Sequence, residues 1–391
     1  MKKLRTIIII SLLFFLMSFN REQNSNGNLP VQNTKSIKSI GKSSLPDWAG
    51  KLVIPGTLRI AVPAPDDAGI SHLSWPKAVI AKNGTIILAY CAGVGHNRGG
   101  SGPAISISED NGATFSNPKL LSYYPDDDDR YVDCGNLAIG TAEDGTVIIL
   151  AMAFNGDKAN NIFGWRSKDN GRTWKSVDTS ELGPNKTGSV CGTIVQLPEG
   201  KLMVMGHYRL PERKNFGIWQ SVSHDNGQTW GTPKMVTNIK GVEPVLVRSG
   251  NRLIVFIRGQ HPSQTSQFLA VSDDFGETWY TGLSNISAQS GHTNTIAHPF
   301  AMVNPKNSSE LLAITAERPL PGNFWLWRGN SNDLKFEIDK CLIKIPKIEG
   351  NPNTDYGYTW MIHTGGNRYL LFYYHGKGFG ANSIWVAEFK L

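Results

Sequence analysis

The chain has 391 residues, of which 40% are hydrophobic and 18% charged, so it can bury a large core and is neither fibrous nor disordered as a whole. The net charge is +7, but the first 50 residues hold seven Lys or Arg against two acidic residues. The remaining domain is therefore almost neutral, and we expect no nucleic-acid partner because no basic stripe is left to contact phosphates.

The N-terminus predicts export. Lys2, Lys3 and Arg5 precede an apolar run from Thr6 to Phe19, which is too short for a comfortable membrane span. We predict a signal peptide over residues 1–19, a disordered linker over 20–50, and a mature chain without a membrane span. The expected location is secreted, periplasmic or on the cell surface. An uncleaved N-terminal anchor is the alternative, since no small-residue cleavage motif follows the run.

One octet occurs four times along the chain, and a shorter, partial copy, SNDLKF, begins at Ser331. The steps of 49 to 59 residues between copies are typical of stacked supersecondary units. The four copies are SEDNGATF from Ser108, SKDNGRTW from Ser167, SHDNGQTW from Ser223 and SDDFGETW from Ser272.

Each repeat contains short β-rich runs separated by Asn-Gly, Asp-Gly or Glu-Gly turns, the pattern of hairpin strands. Six such units follow one another between residues 51 and 391, and no helical period persists among them. We therefore predict an all-β, six-bladed β-propeller. The last unit is short by one strand, and the segment around Leu58 to Val62 is spare at the other end, so we expect the two to pair and close the ring.

The octet itself indicates structure and not catalysis. Its Asp can accept hydrogen bonds from nearby backbone amides, its Gly can take a positive φ, and its aromatic residue can pack between blades. A catalytic site would not be needed several times around one ring. We predict this structural role for four carboxylates, with surface calcium binding as an alternative: Asp110, Asp169, Asp225 and Asp274.

The four cysteines are scattered, without a C-x-x-C pair. They are compatible with an oxidising compartment, and their pairing stays open among three connectivities. We predict no metal site and no cofactor, because no metalloprotease, phosphate-loop or dinucleotide motif is present. The residues are Cys91, Cys134, Cys191 and Cys341.

The octet is the Asp-box, and with these units the chain from about residue 51 to 391 resembles the sialidase (neuraminidase) superfamily of six-bladed propellers. In that superfamily a Tyr replaces the usual carboxylate nucleophile, because the substrate carries its own carboxylate on the reacting carbon. A Glu takes the proton of the Tyr, an acid assists the leaving group, and three arginines hold the substrate carboxylate.

The resemblance carries over onto part of this sequence. The run GVEPVLVRSGNRLIVFIRG implies that Glu243 activates the nucleophile and that Arg258 is a substrate-binding arginine. The run YGYTWMIHTGG implies Tyr358 as the nucleophile, with Tyr356 as its alternative, and TAERPLPGNFWLW implies Arg318 as a second substrate-binding arginine.

Two parts of the family pattern are absent. Ser74 stands where the first arginine is expected, with Lys77 as an alternative cation. The loop that should hold the acid/base Asp reads CAGVGHNRGGSG, which offers His96 for proton transfer and Arg98 for substrate binding. Asp133, at the start of the second unit, is the alternative proton-transfer residue. His292 and His298 either line the mouth of the propeller or cap strands.

We therefore expect an exported exo-glycosidase that hydrolyses a terminal, anionic sugar of a glycan or polysaccharide. Two other functions fit the sequence: a polysaccharide lyase acting on a uronate, and a glycan-binding propeller without catalysis. The sequence identifies neither the sugar and its linkage nor the stereochemical outcome or the oligomeric state.

Overall fold

The computed structural model describes residues 57–391, with the exception of 97, 126–130, 132, 156–157, 211–216, 261–264, 291–294, 319–321 and 346–353. The predicted signal peptide and linker therefore lie outside the described residues, as does His292. The described residues contain no helix that is both long and apolar enough to cross a bilayer.

The described residues form 25 β-strands, which pair into four sheets of eight, eight, four and five strands. Along the sequence these strands follow the six units predicted above. The short first strand, β1, spans Arg59–Val62. Unit 1 contains β2 (His72–Ile80), β3 (Ile86–Gly95), β4 (Arg98–Ser108) and β5 (Lys119–Leu120). Unit 2 contains β6 (Asp133–Thr141), β7 (Val147–Asn155), β8 (Ala159–Ser167) and β9 (Lys175–Ser176). Unit 3 contains β10 (Cys191–Gln196), β11 (Leu202–His207), β12 (Ile218–Ser223) and β13 (Lys234–Thr237).

The second half repeats the arrangement. Unit 4 contains β14 (Gly241–Ser249), β15 (Arg252–Gly259), β16 (Ser266–Ser272) and β17 (Tyr280–Ser287). Unit 5 contains β18 (Thr295–Ile296), β19 (Phe300–Asn304), β20 (Asn307–Arg318), β21 (Gly322–Asn330) and β22 (Phe336–Ile345). Unit 6 contains β23 (Thr354–His363), β24 (Arg368–Lys377) and β25 (Asn382–Lys390).

The N-terminal strand completes unit 6. β1 pairs antiparallel with β25, with Arg59 opposite Val386 and Ile60 opposite Trp385. The predicted pairing between the first and last described strands is therefore confirmed. It gives unit 6 the four strands that units 1 to 4 build from consecutive sequence.

The leading strands of the units contact one another in chain order. β2 lies against β6, β6 against β10, β10 against β14, β14 against β19, β19 against β23, and β23 against β2. This arrangement fits a β-propeller, and the all-β prediction is confirmed. The number of six blades stays a prediction. The second strands are buried almost throughout, as in β3 and β7, because neighbouring units cover both faces of each sheet.

Each Asp-box begins at the last residue of the third strand of its unit. In unit 2, Asp169 Oδ1 accepts hydrogen bonds from Ser167 Oγ at 2.7 Å and from the Thr173 amide at 2.8 Å, and Asp169 Oδ2 accepts one from Thr173 Oγ1 at 2.5 Å. The same bonds occur in the boxes of units 1, 3 and 4. The boxes have the structural role that the sequence predicts.

The box glycines also join neighbouring units. Gly171 of unit 2 has a φ of 89°, and a Cβ placed on it would lie 2.9 Å from Ile87 Cδ1 of unit 1. Gly227 of unit 3 stands in the same relation to Ile148 of unit 2. Glycine is therefore required both for the turn and for the close approach of the preceding unit.

All four cysteines are free and buried.

Candidate active site

Five leading strands show a shift in pairing register near their start: β2, β6, β10, β14 and β23. In β2 the shift lies between Ser74 and Lys77. In three of these strands a residue other than glycine inside the shift has a positive φ: 57° at Trp75, 55° at Glu243 and 50° at Tyr358. Such a conformation is rare for residues other than glycine, and bulges of this kind re-aim a side chain. Backbone strain of this type is common at functional sites.

The bulges bring Tyr358 of unit 6 to Glu243 of unit 4. The Tyr358 hydroxyl donates a short hydrogen bond to Glu243 Oε1, and Arg258 Nη1 donates to Glu243 Oε2 at 2.9 Å. We call these three residues the Tyr358 cluster. Their side chains are largely buried, with 13% of Glu243 and 26% of Arg258 exposed. The sequence prediction placed these three residues in one site, and the structure brings them together.

The charges of the Tyr358 cluster set its protonation state at rest. Burial alone would raise the pKa of Glu243, but the charges of Arg258 and His298 and the hydrogen bond from Tyr358 outweigh it and lower that pKa to about 2. Burial raises the pKa of Tyr358 well above its usual value, and the Glu243 charge adds to the increase. The resting pair is therefore a neutral phenol beside an ionised acceptor.

A second group of residues lies around Asp355, which the sequence analysis missed. Asp355 Oδ2 lies 2.7 Å from His96 Nδ1 and 3.6 Å from His72 Nε2. We call these three residues the His96 cluster. Asp355 Oδ1 accepts a hydrogen bond from the Tyr374 hydroxyl at 2.9 Å. Burial would raise the pKa of Asp355, but the two neighbouring histidines and the charge of Arg318 outweigh burial and lower that pKa.

Arg318 lies between the two clusters. Its Nη2 donates to the Tyr374 hydroxyl at 2.7 Å, lies 3.5 Å from Asp355 Oδ1 and makes a short bond to the Tyr356 carbonyl. Burial alone would lower the pKa of Arg318, but the neighbouring Tyr374 and Asp355 outweigh burial, and the net pKa is raised. The guanidinium therefore stays charged. Tyr356, the alternative nucleophile, donates its hydroxyl to the Glu317 carbonyl at 2.8 Å, so Tyr358 alone of the two bonds to Glu243.

Trp75 links the two clusters. Its ring centroid lies 5.1 Å from that of His96 and 6.0 Å from that of Tyr358. His96 is 31% exposed, which leaves its ring accessible from solvent. Arg98 is a residue of β4 whose side chain lies outside the described part of the structure, so its predicted role stays a prediction.

Asp133, the alternative proton-transfer residue, is 1% exposed. Its Oδ1 accepts hydrogen bonds from the Ser101 hydroxyl and from the Cys134 amide at 2.9 Å, at the start of β6. Compared with His96, its carboxylate is much less accessible to a substrate.

The wall behind Tyr358 is also polar. His298 stacks at 4.9 Å from the Tyr358 ring and lies 2.8 Å, through Nε2, from Cys191 Sγ. Lys77, the proposed replacement for the missing arginine, is fully buried and donates to Asn136 Oδ1. Burial lowers the pKa of Lys77, although Cys191 and Glu243 act in the opposite direction. Its ammonium group is therefore placed behind the site and not at its surface.

Comparison with known proteins gives a consistent family. The model of the BNR repeat-like domain matches residues 126–366. A sialidase of Paraclostridium sordellii is 24% identical over 304 residues, which cover 69% of this chain and 73% of that protein.

Two solved structures show the same fold at low sequence identity. The NanB sialidase of Streptococcus pneumoniae has a TM-score of 0.64 at 14% identity, covering 89% of this chain and 73% of that chain. The α-L-arabinanase of Penicillium chrysogenum has a TM-score of 0.58 at 13% identity, covering 85% of this chain and 98% of that chain.

Proposed function

The chain belongs to the BNR repeat-like family of the sialidase superfamily, and we propose that it is an exported, six-bladed exo-glycosidase that hydrolyses a terminal, anionic sugar of a glycan. The observation that carries this proposal is the hydrogen bond from Tyr358 to Glu243. These residues come from units 6 and 4 and are 115 positions apart in the sequence. Each lies in a bulged strand and has a positive φ that residues other than glycine rarely adopt, and such backbone strain clusters at functional sites.

In the proposed reaction, the Tyr358 oxygen attacks the anomeric carbon while Glu243 accepts the phenolic proton. The bond from that carbon to the leaving oxygen breaks, and a protein acid supplies the proton that this oxygen needs. Water then attacks the anomeric carbon of the glycosyl-tyrosine and gives a proton back to the residue that acted as the acid, while the bond to the Tyr358 oxygen breaks and the tyrosine recovers its proton from Glu243. His96 is better exposed than Asp133 for the acid role, although both residues stay open.

The proposed preference for an anionic sugar rests on two buried cations. Arg258 and Arg318 are held by carboxylates, Glu243 and Asp355 respectively, and keep free donor nitrogens for a substrate carboxylate. The first arginine of the sialidase pattern is replaced by the buried Ser74. We therefore expect weaker carboxylate binding than three arginines would give, and a sugar other than sialic acid is compatible with these residues.

The test is a panel of terminal glycosides, including sialosides, uronides and arabinosides, incubated with the purified chain. We expect release of one sugar by the wild-type protein and a loss of at least about 10³-fold in Tyr358→Phe, because the nucleophile is removed. Tyr373→Phe is the matched control, since Tyr373 is equally buried but stacks on Trp385 instead of bonding to Glu243. No release by wild type, or equal activity in Tyr358→Phe, would refute the proposal.

A uronate lyase is the second candidate, and the contact between His96 and Asp355 favours it. A carboxylate 2.7 Å from Nδ1 fixes the ring of an exposed histidine, which could then remove a proton beside the uronate carboxyl group. Elimination leaves an unsaturated product that absorbs in the ultraviolet, whereas hydrolysis does not. Sugar binding without either product would indicate a glycan-binding protein.

A further inference from the structure

We propose that His72, His96 and Asp355 bind a divalent transition-metal ion of the zinc type. The potential donor atoms of these three side chains lie within 4.8 Å of one another. Two imidazoles and one carboxylate form a donor set that zinc accepts at catalytic sites. This proposal departs from the sequence prediction that the protein binds no metal.

The hydrogen bonding of His72 is the main argument for a metal site. Its side chain is 1% exposed, and its Nδ1 lies 3.2 Å from the carbonyl oxygen of Gly380. A carbonyl can only accept, so Nδ1 carries the proton and a neutral ring has its lone pair on Nε2. A metal-binding histidine is usually oriented in this way, with its other nitrogen donating to a carbonyl.

The His72 lone pair faces a carboxylate across a gap. Nε2 has no hydrogen-bond partner among the described residues, and Asp355 Oδ2 is 3.6 Å away. That separation is too long for a hydrogen bond from a protonated ring. Two buried acceptors that face each other repel unless a cation lies between them.

The distances suit an ion in this gap. With metal–ligand bonds of about 2.1 Å, a separation of 3.6 Å corresponds to an angle of about 120° at the metal. The 2.7 Å between His96 Nδ1 and Asp355 Oδ2 corresponds to a narrower angle of about 80°, and the exposed His96 ring has room to open it. Asp355 Oδ1 is held by Tyr374, which leaves Oδ2 for the ion.

An ion at this position would add positive charge on the face of β2 that lacks the arginine. His72 precedes Ser74 by two residues, so both side chains lie on the same face of the strand. The coordination positions that these three residues leave open could accept water or a carboxylate or hydroxyl group of a sugar. With the ion bound, His96 Nδ1 is a ligand, and a water on the ion would replace His96 as the proton donor. This last consequence rests on the proposed function, whereas metal binding does not.

The experiment measures binding without a sugar. The full chain is treated with a chelator, mixed with Zn²⁺ alone, passed through gel filtration and analysed for its metal content. We expect about one Zn²⁺ per chain. With Co²⁺, we expect visible absorption bands in the wild-type protein. His72→Gln and Asp355→Asn should each weaken binding at least about 10-fold, as ligand loss does at such sites.

His363→Gln is the control, because this exposed histidine bonds only to the Gly366 carbonyl nearby. It should bind Zn²⁺ like the wild type, and so should Tyr358→Phe, which removes the proposed nucleophile but no ligand. If His72→Gln fails to fold by circular dichroism, His96→Gln replaces it, since the His96 side chain is partly exposed. Wild-type protein that leaves the column with less than about a tenth of an equivalent of Zn²⁺, or folded variants that bind as tightly as wild type, would overturn the proposal.

Discussion

The Asp-boxes and the Tyr358 cluster both place a carboxylate among hydrogen-bond donors, but they find those donors at different distances along the chain. Asp169 takes its bonds from Ser167 and Thr173, two and four positions away. Glu243 takes its bonds from Arg258, 15 positions away, and from Tyr358, 115 positions away. The box forms wherever its octet occurs, whereas the cluster requires the whole arrangement of units.

The two regions also differ in backbone conformation. In the boxes, the positive φ angles fall on Asn or Phe and on the glycine after it, in the turn that follows a strand. In the cluster they fall on Glu243 and Tyr358, inside strands. In the boxes the positive φ angles are part of a local turn, whereas in the Tyr358 cluster they are maintained by the strands packed around them. Variants in one region should therefore alter stability, and variants in the other should alter chemistry.

The largest expected effect is on chemistry. Glu243→Gln removes the base but keeps the shape of the side chain, so we expect the activity to fall about 10²- to 10⁴-fold with a much smaller change in the free energy of unfolding. Activity on the sugar found in the panel and urea unfolding are the two measurements. Glu310→Gln is the matched control, because Glu310 pairs with Arg328 at 3.1 Å far from Tyr358 in unit 5. Equal losses in both variants would contradict the assignment.

The next effect is on stability. Gly171→Ala combines an unfavourable φ of 89° with a contact of 2.9 Å to Ile87 Cδ1, so we expect a loss of about 1 to 3 kcal/mol in the free energy of unfolding. Gly250→Ala separates the two causes, since Gly250 also has a positive φ, 62°, but a Cβ there meets nothing within 4 Å. It should cost about 1 kcal/mol. The activity of each folded protein should be unchanged, and a loss of activity without a loss of stability would argue against the division between regions.

A smaller effect concerns stability between pH 6.5 and 4. His207 accepts a hydrogen bond at Nδ1 from the Glu243 amide, and burial lowers its pKa to about 4 from its ordinary 6.5. The unfolded chain therefore takes up this proton as the pH falls below 6.5, while the folded protein does so only near 4, and stability falls across that interval. Burial also lowers the pKa of His298, which therefore contributes in the same direction below pH 6.5.

His207→Asn tests this assignment, since its side-chain oxygen can accept the same amide. Urea unfolding at pH 7, 6, 5 and 4 should show a shallower loss of stability than in the wild type. The slope should not vanish, because His298 still contributes. An unchanged slope would mean that the pKa of His207 is the same in the folded and the unfolded chain.

The smallest effect belongs to the boxes in acid. Hydrogen bonds from Thr173 lower the pKa of Asp169 to about 2, and Asp110 and Asp274 have the same value. A lowered carboxyl pKa contributes stability above the unfolded value of 3.8, and that contribution is lost as the pH falls toward 2. Asp169→Asn should therefore lose less stability than wild type between pH 4 and 2. Identical unfolding curves over that interval would show that the box carboxylate is not the group that titrates.

The separation along the chain between interacting residues also determined what could be predicted from the sequence. The Asp-boxes and the hairpin strands depend on neighbours in the chain, so the octet was sufficient to identify their role. Tyr358, Glu243 and Arg258 were predicted through a family resemblance, and their meeting could not have been derived from spacing alone. Arg318 was also placed in the site, but its partner Asp355 was overlooked.

Asp355 and His72 give no local signal. Asp355 lies three residues before Tyr358 in a strand of aromatic residues, and His72 opens β2 as an ordinary hydrophobic strand would begin. Their roles appear only when β2 and β23 lie side by side, which is a property of the closed order of units. A buried His or Asp inside an otherwise apolar strand is the one feature that could have drawn attention to them.

The pairing of β1 with β25 has a consequence for the order of synthesis. β1 leaves the ribosome more than 300 residues before its partner, a delay of roughly 15 to 70 s at typical elongation rates of about 5 to 20 residues per second. During that time the Asp-boxes of units 1 to 4 can already form. Unit 6 is completed last, and it is the unit that carries Tyr358. A chain that ends before unit 6 would therefore contain Glu243 but not its partner Tyr358.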